Sequence, residues 1–269
     1  MFDGTNKIVI MMISNPATSN AIFMKYAKRL RHLAFEGGAT AEGIHLPSNV
    51  RLAFLQPPHT PLFPALESVT FASTEIGQHP AAYVELLPSC PITRLAFSDL
   101  HVESATFVAV LSFFSLKLAE SLTELKLAMP SSGKAFSMQS LHYLTDLARL
   151  QTLSITSQHP DFSAFDLLPW ILGQCSLRDL EFSALVKHPL SHEYAELRSA
   201  SKTFDTLRIG GDITFIGAVL PSFGGGPNST GVQGTVVFSP SSALHSTHKE
   251  QLTKFVLKNF PGQPLVRFK

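Results

Sequence analysis

The sequence predicts an α/β fold, an irregular solenoid with parallel strands on its concave side and helices on its convex side. Two observations carry this prediction: an apolar motif recurs nine times along the 269 residues, and between its copies the apolar spacing changes toward a helical period. The composition allows a large core, since 45% of residues are hydrophobic and 15% are charged. Disordered chains combine low hydrophobicity with a high net charge, so this composition argues against disorder.

Each copy of the motif has an apolar residue, two others, a second apolar residue, one other and a third apolar residue. From the second copy onward, the second apolar residues are separated by 26 to 30 positions. The first interval is 36 and contains an extra strand-like piece at Leu52 and Phe54. The last two copies have Gln233 and Gln263 at the first apolar position. The second apolar residues are Leu33, Val69, Leu95, Leu125, Leu153, Leu180, Leu207, Val236 and Val266.

Alternate residues of a strand face opposite ways, so the second and third apolar residues of every copy point to the same side. A single copy cannot enclose its own apolar row, but a stack of copies can. A strand and a helix in every ~20–29 residues form a leucine-rich-repeat unit, and these copies lie at the long end of that range.

Helical spacing between the strands predicts five helices. An asparagine three positions after each motif would join successive turns by hydrogen bonds, but those positions hold other residues, which predicts turns of varied length. The glycines at 224–226, with Pro227, Asn228 and Gly231, predict a flexible insertion. The five predicted helices span 107–118, 141–150, 163–173, 191–201 and 243–259.

Residues 1–32 are interpreted as a capping segment with an entry helix, and residues 33–269 as the solenoid. The entry helix would present basic residues to water and apolar ones to the first coil. Its basic cluster also offers an alternative function, binding to nucleic acid or an anionic surface. A formal net charge of +1 makes nucleic acid a poor candidate for the main partner. The basic residues are Lys25, Lys28, Arg29 and Arg31.

Residues 23–33, FMKYAKRLRHL, place an aromatic residue, a Tyr-Ala pair and a basic pair before the first repeat. LQPP at 55–58 and PLFPAL at 61–66 form a proline-rich lead into the next strand. Both features resemble the corresponding segments of fungal F-box proteins with irregular leucine-rich repeats, and the resemblance in style covers most of the chain. The resemblance implies substrate recruitment for a ubiquitin ligase. Nothing before Phe23 matches the F-box, so a Skp-type adaptor is expected as a partner only if an F-box lies upstream.

The residues between the apolar positions of each strand should face solvent on the concave side, and we interpret this side as a surface that binds another protein. Its charges run from basic to mixed to acidic and back to basic, which could orient a charged partner. Ser68, Thr70, Ala96, Ser154 and Thr206 complete the outward set. The candidate partner-binding residues are Arg94, Glu124, Lys126, Thr152, Asp179, Glu181 and Arg208.

Each candidate motif for catalysis or metal binding lacks at least one residue that it requires. His192 and Glu193 match the first two residues of the zinc-protease motif His-Glu-x-x-His, but Glu196 occupies the position of the second histidine. His245 and His248 lack a third ligand nearby in sequence. The glycines at 224–226 lack the lysine and hydroxyl residue of a phosphate-binding loop, and no Gly-x-Ser-x-Gly elbow occurs. We therefore expect a protein that is not an enzyme and that uses no cofactor or metal.

Cellular location is predicted from cysteine use and hydropathy. Cys90 and Cys175 fit no metal or redox spacing, and two buried thiols in a reducing compartment are the expected state. No run approaches the ~20 apolar residues that cross a bilayer. The apolar run at 8–13 is too short for the core of a signal peptide. The prediction is a cytoplasmic or nuclear protein without membrane contact.

Overall fold

The computed structural model describes residues 25–35, 63–71, 90–98, 118–129, 147–157, 167–174, 176–184, 203–223, 231–260 and 262–269. Within these ranges, nine parallel strands form one open sheet in the order of the chain. With its helices, the sheet gives the described part of the chain an α/β fold. The strands are β1 (His32–Phe35), β2 (Ser68–Phe71), β3 (Arg94–Phe97), β4 (Glu124–Met129), β5 (Thr152–Ser157), β6 (Asp179–Ala184), β7 (Thr203–Gly211), β8 (Gly231–Pro240) and β9 (Leu265–Phe268).

The register of the sheet follows the sequence repeat from end to end. Leu33 of β1 pairs with Val69, and the second apolar residue of each later copy pairs with that of the next, as far as Val266 of β9. Every strand that the repeat predicts is therefore confirmed, in parallel orientation and in the expected register. The extra strand-like piece at Leu52 and Phe54 lies outside the described residues.

One face of the sheet carries the core. The second and third apolar residues of β2 to β8 form two rows that are at most 2% exposed. Aromatic neighbours stack along the second of these rows, with ring centroids 5.1 Å apart for Phe71 and Phe97 and 5.4 Å apart for Phe238 and Phe268. Burying one such side chain is worth about 1.5–3 kcal/mol, so the repeated rows stabilise the sheet along most of its width.

The described helices pack on this same face. Helix α1 (Leu168–Gly173) lies between β5 and β6, helix α2 (Ile213–Val219) and a 3-10 helix (Leu220–Phe223) follow β7, and helix α3 (Ser246–Asn259) follows β8. Their buried apolar residues belong to the same core cluster as the strand rows. Crossovers between parallel strands are right-handed, so strands added at one edge in chain order bring their connections to one face.

Two of the five predicted helices are confirmed in part. Helices α1 and α3 lie inside the predicted segments 163–173 and 243–259 and begin a few residues later than expected. Segment 191–201 lies outside the described residues. Of segments 107–118 and 141–150, only the last residues are described, as one helical residue and a turn respectively. Helix α2 was not predicted.

The two glutamines at the first motif position of the last copies do not belong to the core. Gln233 and Gln263 are both exposed, and the buried residue at the start of the β8 copy is Val232, which pairs with Phe204. A register shift follows, so that Gln233 and Gly234 stand opposite Asp205 alone. A side chain at position 234 would overlap the carbonyl oxygen of Asp205, which explains the glycine in this bulge.

The two ends of the predicted domains are described only in part. Residues 25–27 are helical and a turn follows, with Ala27 buried and Leu30 packed against the core. The rest of the capping segment, residues 1–24, lies outside the described residues. So does the glycine-rich stretch at 224–230, but Gly231 belongs to β8 and pairs with Thr203, so the expectation of a flexible insertion does not extend to it.

Candidate binding surface

The face of the sheet opposite the core, called the open face below, is formed by the residues that alternate with the core rows. Strand register places these residues in two rows across the sheet. Within a row, residues on neighbouring strands are about 4.8 Å apart. One row contains Ser68, Arg94, Glu124, Thr152, Asp179, Thr206 and Thr235. The other contains Thr70, Ala96, Lys126, Ser154, Glu181, Arg208 and Val237.

All seven residues that the sequence nominated for partner binding lie on the open face. They occupy five consecutive strands, β3 to β7, and therefore form one continuous patch. Arg94, Lys126 and Arg208 are exposed, whereas the remaining four are half-buried. The half-buried members are Glu124, Thr152, Asp179 and Glu181.

Charges at the β1 to β4 end of the open face are paired with one another. Glu67, just before β2, accepts from Arg31 at 2.8 Å and from Arg94 at 3.5 Å. Lys126 and Glu124 form an ion pair at 2.7 Å. These pairs are largely exposed, so each contributes only about 0–1 kcal/mol to stability.

The charged residues of the two rows at the β6 and β7 end of the open face, unlike those at the β1 to β4 end, form no ion pairs among the described residues. The carboxylate of Glu181 accepts from the hydroxyl of Ser154 at 3.0 Å. Within the described ranges, Asp179, Glu181 and Arg208 have no ion-pair partner, although Glu181 and Arg208 occupy adjacent register positions. This end of the patch therefore offers two carboxylates and one guanidinium whose charges are not neutralised by a described neighbour.

Ser154 departs from the expectation that it faces solvent. Its register places it on the open face, but it is 8% exposed. Its neighbours in the row are the long side chains Lys126 and Glu181, which stand higher than a serine and shield it from water. Alternation predicts the face of a residue correctly here, whereas exposure depends on the lengths of its neighbours.

Two open-face features were missed at the sequence level. Glu67 joins Arg31 to Arg94, and no signal marks it because it lies outside the motif. Val237 of β8 is 5% exposed on a face whose residues are mostly polar, and it does not belong to the continuous core. Its position between Arg208 and Arg267 in the row can be read from the repeat.

The alternative basic site, at the entry helix, is only partly available. Lys25, Lys28 and Arg29 are exposed, but Arg31 is already paired with Glu67. Three cations on one turn attract nucleic acid or an anionic surface less strongly than the four cations that the sequence predicts.

Groups with possible chemistry are few among the described residues. The rings of His245 and His248 have centroids 6.1 Å apart, and no described set of three histidine, cysteine or acidic side chains could hold a metal ion. Cys90 is buried, and this burial raises the pKa of its thiol while a backbone hydrogen bond to Phe63 lowers it. The other predicted features, Cys175, His192, Glu193, Glu196 and the glycines at 224–226, lie outside the described residues.

Across the described ranges, no helix combines the length and the apolarity that crossing a membrane requires. Comparisons with protein-family models, with curated proteins and with solved structures gave no match.

Proposed function

We propose that this chain is an irregular leucine-rich-repeat solenoid, without enzymatic activity, that binds another protein through its open face. One observation carries the proposal. The seven nominated residues form a continuous patch on five adjacent strands, and the described helices all pack on the opposite face. In a solenoid of this kind the open face is the concave surface on which a partner docks.

The polarity of the open face supports this role. All-parallel sheets are usually covered on both faces and consist of nearly continuous apolar runs. Here β2, β3 and β6 alternate regularly between buried and more exposed residues. The face is thus built to meet water or a polar protein surface, and not a second helical layer.

The charge pattern indicates how a partner would be oriented. Cations and anions at β3 and β4 already have partners within the chain, whereas Asp179, Glu181 and Arg208 have no ion-pair partner among the described residues. A partner that places a basic group over β6 and an acidic group over Arg208 would complete these pairs. Complementary charge of this kind mainly determines orientation and association rate.

The test uses the purified full chain as bait, with benzoylphenylalanine in place of Thr152 at the centre of the patch. We expect light-dependent cross-linking to one or a few proteins in an extract of the source cells. Reversing the two carboxylate charges that have no described ion-pair partner, with Asp179→Lys and Glu181→Lys, should weaken capture of the same proteins by about tenfold or more. Quantitative mass spectrometry of the cross-linked products measures both effects.

The control variant carries the same charge change away from the open face, as Glu120→Lys and Glu250→Lys. Both residues are exposed. It should capture and cross-link as the unmodified chain does. If the open-face variant keeps its full yield of cross-linked protein, or if nothing cross-links at position 152, the proposed surface is wrong.

The resemblance to F-box proteins suggests a specific form of this function. In that form the captured protein is a substrate for a ubiquitin ligase, and a Skp-type adaptor joins through an F-box encoded upstream. The nucleic-acid or anionic-surface alternative receives less support, because Arg31 of its basic cluster is paired with Glu67.

A further inference from the structure

The last strand of the sheet leaves one edge without a described partner. Among the described residues, strand β9 pairs with β8 alone. Its core-row residues Val266 and Phe268 are only half-buried, whereas the corresponding residues of β8 are 0% exposed. Leu265, on the open-face side of the same strand, is 54% exposed. The core is therefore incomplete at this edge.

The backbone of β9 also has outward-pointing hydrogen-bonding groups that have no partner among the described residues. Lys269 donates its backbone N–H to the carbonyl of Phe238 on β8, at 2.9 Å. Because successive residues of a strand alternate in direction, the N–H groups of Leu265 and Arg267 also point to β8. The N–H and C=O groups of Val266 and Phe268 then point away from the sheet, where a further strand would pair with them.

Helix α3 contributes one exposed apolar residue on the side that faces this edge. The ammonium group of Lys249 lies 5.8 Å from the centroid of the Phe268 ring, which places this side of the helix along β9. Thr253 and Leu257 follow at intervals of four residues and share the same stripe of the helix. Leu257 is 52% exposed. A chain lying along β9 would thus contact Leu257 and Phe268 on one side and Leu265 on the other.

The segment that contains this edge and helix α3 is strongly basic. Residues 241–269 contain one acidic residue, Glu250, and have a formal net charge of +4, compared with +1 for the whole chain. Glu250 is itself paired with Lys254 at 2.7 Å. Arg267 projects from β9 itself, on the open-face side. The basic residues are Lys249, Lys254, Lys258, Arg267 and Lys269.

We propose that the outer edge of β9, which has no partner among the described residues, binds an extended acidic segment of another protein as a tenth strand. The outward backbone groups would supply main-chain hydrogen bonds, and the exposed leucines and the cations would select an apolar and acidic sequence. A second copy of this chain is a poor occupant, because pairing β9 with itself brings like charges together. A lipid surface is also poor, since lipids cannot pair with the row of backbone groups. This site is separate from the open-face patch and does not depend on it.

The experiment pans a display library of random octapeptides against the full chain and against Val266→Pro. Proline removes an N–H that points outward, so the bonds from β9 to β8 remain. We expect peptides that bind the unmodified chain and lose about tenfold or more in affinity for Val266→Pro, with Asp and Glu in clear excess among them. Arg267→Glu should weaken the same peptides by a similar factor, and fluorescence anisotropy measures each affinity.

Matched variants separate these effects from general damage. Val266→Ala keeps the N–H and should change affinity by less than about threefold, and Lys28→Glu makes the Arg267→Glu charge change before β1 and should leave affinity unchanged. Peptides without acidic excess, or with equal affinity for Val266→Pro, would overturn the proposal. So would a dimer of the unmodified chain that Val266→Pro abolishes in sedimentation, or binding to phosphatidylserine vesicles in the absence of peptide binding.

Discussion

The environment of a residue in this sheet changes completely from one position to the next. In β5, Leu153 is 0% exposed and stands in register between Leu125 and Leu180, both of them buried. Thr156, three positions later on the same strand, is half-buried on the open face and lies between Ala128 and Ser183. The same chemical change at these two positions therefore tests the direction of the strand.

We predict that Leu153→Asp lowers the free energy of unfolding by about 3–5 kcal/mol, because it buries an unpaired carboxylate among apolar side chains. Thr156→Asp, the control, should change it by no more than about 0.5 kcal/mol. Urea denaturation followed by circular dichroism measures both values. Equal effects at the two positions would mean that the strand does not have a core face and an open face.

At the scale of the element, helix α2 shows how a tight turn after a strand positions a helix on the core. Gly211 has φ of +118°, and a side chain there would overlap the carbonyl oxygen of Ala184. Asp212 follows and accepts the N–H of Phe215 at 2.6 Å, which caps the first turn of the helix. Phe215 then packs edge-on against Phe182 of β6, with ring centroids 5.5 Å apart.

We predict that Asp212→Ala costs about 1 kcal/mol of stability, since it removes the side-chain acceptor of the helix cap. Asp212→Asn keeps an acceptor in the same place and should cost much less. Thermal denaturation of the two variants under the same conditions measures the difference. If alanine and asparagine are equally destabilising at this position, the cap does not contribute through its hydrogen bond.

The strands and their faces could be predicted because they depend on alternation within a short segment. The nine second apolar positions are in register across the sheet as the repeat requires. Helix α2 was also within reach, since Phe215, Ile216, Val219 and Leu220 have helical spacing after an N-capping Asp212. The helix begins two residues after the end of β7, so its apolar residues follow the strand motif without a separating loop.

Other features depend on three-dimensional neighbours and could not be read from local pattern. Because of the bulge at Gln233 and Gly234, the first buried residue of the β8 copy is Val232, four positions before Val236 instead of three. A motif of fixed spacing cannot reveal such a shift. The same holds for the candidate site. The rows of the open face were predictable, whereas the shielding of Ser154 and the bridge from Arg31 through Glu67 to Arg94 require distances between strands.

The whole molecule, as far as the structure describes it, is built from neighbours in sequence. Strand order follows the chain, and the extensive contacts between described elements join elements that are adjacent in this order. In such a stack each unit stabilises the next, and distant units affect one another only through those between them. Damage at one end should therefore remain local, whereas damage at the centre should spread in both directions.

We predict that Val236→Asp, which buries a charge in β8, accelerates amide hydrogen exchange in β8, α3 and β9 by about tenfold or more and leaves β3, β4 and β5 nearly unchanged. Val236 is 0% exposed and pairs with Leu207 and Val266, so its loss removes the support of the last strand. Leu153→Asp, at the centre of the sheet, serves as the comparison and should accelerate exchange in strands on both sides of β5. Hydrogen exchange followed by mass spectrometry, with peptides covering 90–98, 118–129, 147–157, 176–184 and 231–269, distinguishes the two patterns. Uniform loss of protection along the chain in Val236→Asp would show that the sheet unfolds as a single cooperative unit and not unit by unit.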